Sequence, residues 1–482
     1  MNETNSYEIV IGLEVHAQLL TKSKLFCGDS IAFGAEPNTH VSPVTLAHPG
    51  TLPKMNKKAI ELAVKMGLAC HCEIERHNYF ARKNYFYPDL PKGYQVSQHT
   101  TPICKGGYIK IKTTEGEKQV RLNRIHMEED AGKSLHDVDA ENTCIDYNRA
   151  GTPLIEIVTE PDIRSAEEAF AYVSEIRKLV RYLEICDGNM EEGSLRCDAN
   201  VSVRKKGETK LGTKVEVKNL NSIRNVKRAI EFEAKRLIEL LEKGGTVIQQ
   251  TRSYDAGNDI TFATRDKEDA DDYRYFADPD LTPFSLDETF IESVRSAIPA
   301  LPEERIKKYV EQYKLPEYDA QVLTEEKEVS DYFEKTIEYT SNYKAASNWL
   351  LGPVKSWLNE NNKEIGDFPL EPGKIAALIQ LIDTGKLNFS VASTKLFAYL
   401  LNNPGKDPEQ IATEQNLVQQ SDISFLEPVI DGILEKYADK VTEYKKGKKG
   451  LLSLFVGEVM KQSKGKADPK ATNDLLIKKL NT

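Results

Sequence analysis

Residues 7–16 read YEIVIGLEVH, and this stretch decides the fold of the first half of the chain. Apolar residues occupy every second position from Tyr7 to Val15, which predicts a β-strand. Because alternate residues of a strand share a face, Glu14 and His16 are predicted to project from the same side. A plain solvated face would show the same alternation, so the function of these polar groups stays open at this point.

The same period of two continues to about residue 295. Residues 195–204 and 214–218 alternate aliphatic side chains with Arg, Asp, Asn, Lys and Glu. Residues 163–183 and 222–243 instead show the three- and four-residue spacing of helices. Polar faces of such mixed composition are typical of a substrate-binding sheet. Strands with strong antiparallel character, mixed with helices, predict an α+β domain.

Beyond this point the apolar spacing changes to 3.6 residues, which predicts helices only. The predicted domains are therefore 1–295, an all-helical 296–410 and a helical tail, 411–482. Within the tail, the apolar face of residues 451–460 is followed by a predicted lysine-bearing turn, Lys464-Gly465-Lys466. Asp468 is predicted to cap the next helix, with Pro469 at its first position.

Charge is unevenly distributed along the chain. The 482 residues carry a net charge of −10, yet residues 441–482 hold ten lysines against four acids, a net of +6. Residues 1–440 therefore carry −16, which argues against a protein that coats nucleic acid regardless of sequence. The basic segment fits a local contact with RNA or phosphate, although a solvated lysine-rich helix face would explain it too.

The cysteine content and the hydropathy indicate the compartment. None of the seven cysteines falls in a CxxC pair, which favours free thiols in a reducing environment. The sequence shows no signal peptide and no apolar run of roughly 18 residues. We therefore expect a cytoplasmic protein that has no membrane partner.

Glu156 lies in the run PLIEIV, residues 153–158, with two aliphatic residues on each side. An ionised carboxylate in such a setting is costly unless a cation, a metal or several donors hold it. Glu14, His16 and Glu128 are candidates to share a site with it, and a carboxylate-rich set favours Mg²⁺ or Mn²⁺. From spacing alone, structural roles explain these residues better than a metal site, because spacing does not show that they converge; Glu156 is the exception, since its aliphatic flanks argue against an ordinary surface role.

Two further segments carry candidate binding groups. Residues 82–92, RKNYFYPDLPK, combine cations that can bind phosphate with aromatic rings that can stack on a base, or they form a proline-stiffened loop. Residues 190–200, MEEGSLRCDAN, bring Arg196 and Asp198 towards phosphate and metal, or lead into an amphipathic strand. The sequence has no Walker A loop, HExxH, GxSxG or Rossmann fingerprint, and no recognisable nucleophile.

Six segments stand in the order found in one protein family. They are IGLEVH (11–16), the 82–92 block, HMEEDAGK (126–133), GTPLIEIV (151–158), the 190–200 block and DYRYF (272–276). Through them the chain resembles GatB, the B subunit of the tRNA-dependent amidotransferases, over essentially its whole length. Its helical tail is similar to the YqeY family.

This resemblance implies a reaction and its partners. ATP phosphorylates the side-chain carboxylate of a mischarged Glu-tRNA(Gln) or Asp-tRNA(Asn), and ammonia then displaces phosphate. The GatA subunit supplies ammonia from glutamine, and GatC braces GatA and GatB. The first domain should be a cradle similar to the glutamine synthetase fold, and the tail should contact the tRNA.

The resemblance also implies roles for individual residues. His16, Glu128 and Glu156 match the Mg²⁺ ligands of the family, with Glu14 beside them in the catalytic site. Lys83 and Glu128 match a polar pair at the mouth of the ammonia channel. Five residues are candidates for contacts with ATP and its phosphates: Arg82, Arg196, Asp198, Lys218 and Arg274.

The chain departs from many relatives at a zinc knuckle. Where they carry FCxC and CPxC, residues 26–29 read FCGD and residues 42–45 read SPVT. Only Cys27 remains, and one thiolate cannot hold a structural tetrahedral zinc ion. We therefore expect ATP and Mg²⁺ as cofactors and no zinc.

Two other functions compete with the amidotransferase. One is a tRNA-binding scaffold with an inactive site, against which the complete set His16, Glu128 and Glu156 argues. The other is a free-standing metal hydrolase, which lacks a clear water-activating triad and leaves the basic tail unexplained. The physiological tRNA cannot be chosen from the sequence.

Overall fold

The computed structural model describes residues 6–136, 138–139, 141–266, 273–418, 423–463 and 467–481. The chain divides into two compact units, residues 1–301 and 302–482. The division into 1–295, 296–410 and 411–482 stays a prediction.

Within its described residues, the first unit contains the sheet and four α-helices. Its strands are β1 (Tyr7–Gln18), β2 (Glu73–Ile74), β3 (His77–Asn78), β4 (Ala81–Asn84), β5 (Tyr94–Ser97), β6 (Cys104–Lys105), β7 (Tyr108–Thr113), β8 (Gly116–Glu129), β9 (Lys133–Leu135), β10 (Cys144–Asp146), β11 (Pro153–Thr159), β12 (Leu195–Lys205), β13 (Val215–Lys218), β14 (Gln250–Asp255), β15 (Ile260–Asp266), β16 (Phe276–Ala277) and β17 (Phe284–Ser285). Its helices are α1 (Lys57–Ala69), α2 (Ala166–Tyr182), α3 (Ile223–Glu242) and α4 (Glu288–Ser296).

One large sheet organises this unit. Its strands run in the order β15-β14-β13-β12-β1-β11-β8-β5-β4-β16, and β2, β6 and β7 attach to it through β8 and β6. Only the β13–β14 pair in this order is parallel. The α+β class and the antiparallel character predicted from the sequence are confirmed. β1 lies between β11 and β12, so its polar residues have neighbours on both sides.

The apolar face of the sheet forms the core of the unit. Ile11, Leu13 and Val15 of β1 are fully buried, while the alternating Glu14 and His16 are partly exposed. Each such aliphatic residue contributes about 1.5–3 kcal/mol relative to an exposed one. Helices α2 and α3 pack on this face and contribute apolar residues to the same core. The opposite face therefore carries the polar residues of the strands.

The second unit is helical. Its α-helices are α5 (Pro302–Glu311), α6 (Glu317–Leu323), α7 (Lys327–Ile337), α8 (Tyr343–Trp349), α9 (Lys355–Asn361), α10 (Pro372–Asp383), α11 (Phe389–Val391), α12 (Phe397–Asn402), α13 (Pro408–Glu414), α14 (Ile423–Lys436), α15 (Ala438–Lys445), α16 (Leu452–Gln462) and α17 (Pro469–Asn481). Short π-helical turns span Leu350–Val354 and Ala392–Leu396, and 3₁₀ turns span Ile365–Asp367 and Lys449–Leu451.

Two separate hydrophobic clusters stabilise this unit, one within residues 309–412 and one within residues 426–480. The Asp468 cap is confirmed, because its Oδ1 accepts a 2.6 Å hydrogen bond from the Ala471 amide at the start of α17. The predicted turn Lys464-Gly465-Lys466 lies outside the described residues. Among the helices of the described ranges, none is both long and apolar enough to cross a bilayer.

Candidate functional site

Four neighbouring strands place a row of polar side chains on one face of the sheet. His126 of β8 pairs with Glu156 of β11, Glu156 pairs with His16 of β1, and His16 pairs with Arg196 of β12. Directly paired residues of adjacent strands share a face, with Cβ atoms roughly 4.5–5.5 Å apart. The register of the sheet therefore assembles groups that are distant in the sequence.

Three of the predicted metal ligands converge in this row. Glu156 Oε2 lies 3.2 Å from His16 Nε2 and 3.5 Å from His126 Nε2. Donor atoms of His16, Glu128 and Glu156 all lie within 4.8 Å of one another. Two carboxylates and one imidazole form a donor set that fits Mg²⁺ or Mn²⁺. Their metal-binding role stays a prediction.

The two imidazoles explain how the sheet tolerates the Glu156 carboxylate. Burial raises the pKa of Glu156, but the charges of His126 and His16 and the hydrogen bond to His16 outweigh it and hold the pKa below its usual range. Burial also lowers the pKa of His16, but Glu156 outweighs this effect, so the pKa of His16 is raised. Glu156 is consequently an anion at neutral pH.

Glu128 is fixed from the neighbouring strand β5. Its Oε1 accepts a 2.7 Å hydrogen bond from Ser97 Oγ, and its Oε2 accepts a 3.0 Å bond from Gln95 Nε2. Lys83 Nζ lies 4.0 Å from Glu128 Oε1. Burial raises the pKa of Glu128, but the Lys83 charge and the His126 hydrogen bond and charge together outweigh it, so the pKa is lowered. The structure thus brings the predicted Lys83–Glu128 pair together.

A second group of carboxylates adjoins the first. Donor atoms of Glu14, Asp198 and Glu216 lie within 4.8 Å of one another. Lys218 Nζ contacts two of them, at 2.6 Å from Asp198 Oδ2 and 3.1 Å from Glu216 Oε1. Burial raises the pKa of Glu14, and the charges of Glu156 and Asp198 raise it further. One ammonium thus partly neutralises this acidic group.

Arg196 is held in position by a buried acid. Its Nη2 lies 3.0 Å from Asp130 Oδ2, and Gln18 Nε2 donates a 2.7 Å bond to the same oxygen. Asp130 is only 4% exposed. Burial raises the pKa of Asp130, but the Arg196 and Arg149 guanidiniums and the Gln18 hydrogen bond together outweigh it, so the pKa is lowered. Asp130 therefore restricts the orientation of the Arg196 side chain.

These groups share one open cavity of about 740 Å³. It is rich in charge, so it suits a highly charged ligand rather than an apolar one. Eight of the predicted site residues line it: Glu14, His16, Lys83, Glu128, Glu156, Arg196, Asp198 and Lys218.

Two predicted ATP contacts do not line this cavity. Arg82 precedes Lys83 on β4, so the two side chains point to opposite faces. Arg82 Nε lies 3.0 Å from Asp278 Oδ2 and its Nη2 lies 2.7 Å from Asp280 Oδ2, beside a separate cavity of about 340 Å³. Arg274 is exposed, and its carbonyl accepts a 2.9 Å bond from Asn84 Nδ2. The structure thus gives neither side chain a place beside the Mg²⁺ candidates.

The sequence assigned no individual role to His126, although its segment 126–130 was a candidate for the shared site, and it did not single out Glu216. His126 Nε2 lies 3.3 Å from Glu128 Oε1, and within the described residues its buried Nδ1 has no hydrogen-bond partner. Both residues were visible in the alternation, since His126 stands two positions before Glu128 and Glu216 two before Lys218. What the sequence lacked was the strand pairing that sets them beside Glu156 and Asp198.

The structure also shows the surroundings of Cys27. Its Sγ lies 3.4 Å from Thr45 Oγ1, and burial raises the pKa of its thiol. Within the described part of the chain, the two groups above are the only sets of three His, Cys, Asp or Glu residues with the proximity of metal ligands. Neither contains a cysteine.

Comparison with known proteins identifies relatives along the whole chain. Residues 9–292 match the GatB/GatE catalytic domain and residues 331–480 match the GatB domain. The chain is 50% identical over 477 residues to the B subunit of the aspartyl/glutamyl-tRNA(Asn/Gln) amidotransferase from Geotalea daltonii, covering 98% of this chain and 99% of the relative. The same protein from Chlorobium phaeobacteroides is 50% identical over 476 residues, with 99% and 100% covered. That from Thermodesulfovibrio yellowstonii is 48% identical over 472 residues, with 98% and 99% covered.

Proposed function

The chain belongs to the GatB family, and from this premise we propose that it is the B subunit of an amidotransferase that converts Glu-tRNA(Gln), Asp-tRNA(Asn) or both into the amidated forms. Relatives that carry this name match it from end to end at about half identity. It is a carbon–nitrogen ligase whose nitrogen comes from glutamine. We propose GatA and GatC as its partner subunits.

The proposed chemistry activates a poor acyl donor. An oxygen of the aminoacyl carboxylate attacks the γ-phosphorus of ATP, and ADP leaves. Ammonia then attacks the carbonyl carbon of the acyl phosphate, inorganic phosphate leaves, and the nitrogen loses a proton to give the amide. Both steps handle highly charged groups, so positioning and charge neutralisation dominate catalysis.

The observation that carries this proposal is the convergence of fixed anions and cations in one cavity. Arg196 and Lys218 line this cavity and would contact phosphate oxygens, and Asp198 would bind metal beside them. Lys83 beside Glu128 would guide ammonia to the acyl phosphate. Held by His16, Glu128 and Glu156, Mg²⁺ would offset negative charge on the transferring phosphoryl group.

We propose a division of labour along the chain. The first unit would form a cradle similar to glutamine synthetase and carry out both chemical steps. The helical tail would contact the tRNA through its basic segment, 441–482. No zinc should bind, because within the described residues neither group of three candidate metal ligands contains a cysteine. Elemental analysis that finds one zinc per chain would contradict this.

An amidation assay tests the proposal. The full chain, purified with its A and C partners, is supplied with glutamine, ATP, Mg²⁺ and each mischarged tRNA in turn. Glutamine-dependent formation of Gln-tRNA or Asn-tRNA is expected, and the preferred substrate identifies the physiological one. No amidation of either tRNA would contradict the proposed function.

A further inference from the structure

Part of the cavity lining is aromatic rather than charged. Tyr85, Tyr87, Tyr273 and Tyr275 line it, and we call these four residues the tyrosine row. Ring centroids are 5.9 Å apart for Tyr85 and Tyr87, for Tyr85 and Tyr273, and for Tyr273 and Tyr275. All three pairs meet edge to face, a favourable geometry for aromatic rings. The row therefore joins the 82–92 block to residues 273–275, which are distant in the sequence.

The tyrosine row adjoins the charged groups of the site. Lys83 Nζ lies 5.1 Å from the Tyr273 ring centroid and 5.8 Å from that of Tyr85, while the same ammonium faces Glu128. Lys83 thus stands between the rings and the Mg²⁺ candidates. A ligand that spans both parts needs a flat ring at one end and negative charge at the other.

The row also keeps aromatic surface open to a ligand. Tyr87 is 57% exposed although it lines the cavity. The His99 ring lies parallel to Tyr275, with centroids 4.0 Å apart and an interplanar angle of 7°. His99 thus covers one face of Tyr275 and fixes the plane of its ring, and Tyr275 lines the cavity. Base–aromatic stacking of this kind tolerates any sequence because every base has a π-face.

We propose that the tyrosine row stacks on an adenine ring of a substrate. This inference rests on the proposed function, in which two substrates carry adenine near their reactive groups: ATP, and the 3′-terminal adenosine of tRNA, whose ribose holds the aminoacyl ester. In both molecules the ring is joined through ribose to the group that reacts at the charged part of the site. The aromatic residues Tyr85 and Tyr87 of the 82–92 block thus have a function separate from that of its cations.

Binding measurements on the full-length chain test the proposal. The variants are Tyr87→Ala and Tyr275→Leu, with Tyr87→Trp and Tyr275→Phe as variants that keep a ring. Phe86→Ala is the matched control, because Phe86 is 89% exposed on the same loop but does not line the cavity. Calorimetry measures affinity for ATP, for tripolyphosphate, for tRNA and for tRNA whose terminal nucleotide lacks its base. Thermal melting confirms that each variant is folded.

Loss of a ring should weaken binding of the adenine-bearing ligand about tenfold or more, and the ring-keeping variants and Phe86→Ala should bind like the wild type. If the row holds ATP, affinity for ATP falls and affinity for tripolyphosphate does not. If it holds the tRNA end, affinity for intact tRNA falls and affinity for the base-less tRNA does not. Either result supports the proposal and identifies the source of the adenine.

The failure of this inference is distinct from failure of the proposed function. If the wild type binds ATP and tRNA, and the Tyr87→Ala and Tyr275→Leu variants bind both ligands equally well, the proposed role of the tyrosine row is wrong. The proposed function is then unaffected. A wild-type chain that binds neither ligand and amidates no tRNA overturns both.

Discussion

At the scale of single residues, Glu156 shows how a sheet holds an ionised carboxylate among aliphatic neighbours. Its flanking residues Ile155 and Ile157 point to the buried core, and Glu156 alternates to the other face. There His16 and His126, from the two adjacent strands, both approach the same oxygen. The cost of partial burial is thus met by two imidazoles from fixed positions in the sheet rather than by a flexible partner.

Replacing Glu156 by Gln should abolish phosphoryl transfer and leave tRNA binding intact. The amide keeps the shape but removes the charge that the proposed Mg²⁺ site requires, so the amidation rate should fall at least about 100-fold. ATP-dependent release of phosphate and formation of amidated tRNA measure the effect. Glu115→Gln, at the exposed β7–β8 turn, is the control and should behave like the wild type. Normal turnover of Glu156→Gln would rule out its proposed role.

Lys24 provides a prediction about pH and stability. Its side chain is fully buried, with Nζ 3.3 Å from the Tyr147 carbonyl oxygen and 3.5 Å from Thr45 Oγ1. Burial lowers its pKa below the ordinary value of 10.5. Between the folded pKa and 10.5 the unfolded chain therefore binds more protons than the folded chain, so stability rises with pH in this window.

The free energy of unfolding of the wild type should consequently increase relative to that of Lys24→Met as pH rises towards 10.5, by at most about 1.4 kcal/mol per pH unit. Denaturant titrations from neutral pH upwards measure both proteins. Lys22→Met, at an exposed position two residues earlier, is the control and should run parallel to the wild type. Parallel curves for Lys24→Met would contradict the lowered pKa.

At the scale of elements, the strands around the site were predictable and their pairing was not. The alternation in residues 7–16 and 195–204 correctly assigned β1 and β12, because one buried face imposes a period of two. The register of β8 against β11 depends on contacts distant in sequence, so segment 126–130 was a candidate for the site but His126 and Asp130 received no individual roles. β4 is only four residues long. Because residues 82–92 were interpreted from their composition, the alternation of Arg82 and Lys83 between the two faces of a strand was not recognised.

That interpretation placed Arg82 among the ATP contacts, whereas the structure shows it joining two strands. β16 pairs with β4 at Phe276 and Arg82, and the Arg82 guanidinium contacts Asp278 and Asp280 just beyond β16. The Asp278 side chain is 1% exposed. An acid this deeply buried needs its cation, and no local sequence signal connects residues so far apart.

Arg82→Met should therefore destabilise the first unit by about 3 kcal/mol, because the buried Asp278 carboxylate loses its cation and keeps the hydrogen bonds from the Asp280 and Leu281 amides. Chemical denaturation measures the loss. The double variant Arg82→Met, Asp278→Asn should be more stable than Arg82→Met alone, since the uncompensated charge is gone. Direct calorimetry should find near-normal ATP affinity in the folded fraction. A stable Arg82→Met protein with a large loss of ATP affinity would instead restore Arg82 as a nucleotide contact.

At the scale of the whole molecule, the basic excess lies near the end of the helical unit, although its boundary does not coincide with a boundary of the fold. The acidic part of the chain contains the sheet that carries the site, and the net +6 falls on residues 441–482, within the second hydrophobic cluster of the helical unit. Because apolar residues form the core of this cluster, its surface lysines are not required for packing and are available to bind a ligand. The composition predicted the segment, while the positions of its lysines required the structure.

The lysines at the end of α15 permit a quantitative test of RNA binding. Lys445 and Lys446 are exposed, whereas Lys448 lies 3.1 Å from Glu443 and Lys449 lies 4.2 Å from the Tyr444 ring centroid. Lys445→Ala with Lys446→Ala should weaken tRNA affinity and reduce the slope of log affinity against log salt by about 0.9 for each lost phosphate contact on a duplex.

A second double variant that removes two lysines elsewhere distinguishes a direct contact with tRNA from attraction by the net charge of the protein. Lys235→Ala with Lys243→Ala removes two exposed lysines from α3 and its C-cap, on the side of the sheet opposite the site, and should leave the salt slope unchanged. Filter binding of tRNA over a range of salt concentrations measures both double variants. Equal losses in the two would show that net charge alone attracts tRNA. An unchanged salt slope in the Lys445 and Lys446 variant would show that these lysines do not contact tRNA. The proposed amidation by the first unit is tested separately by the amidation assay.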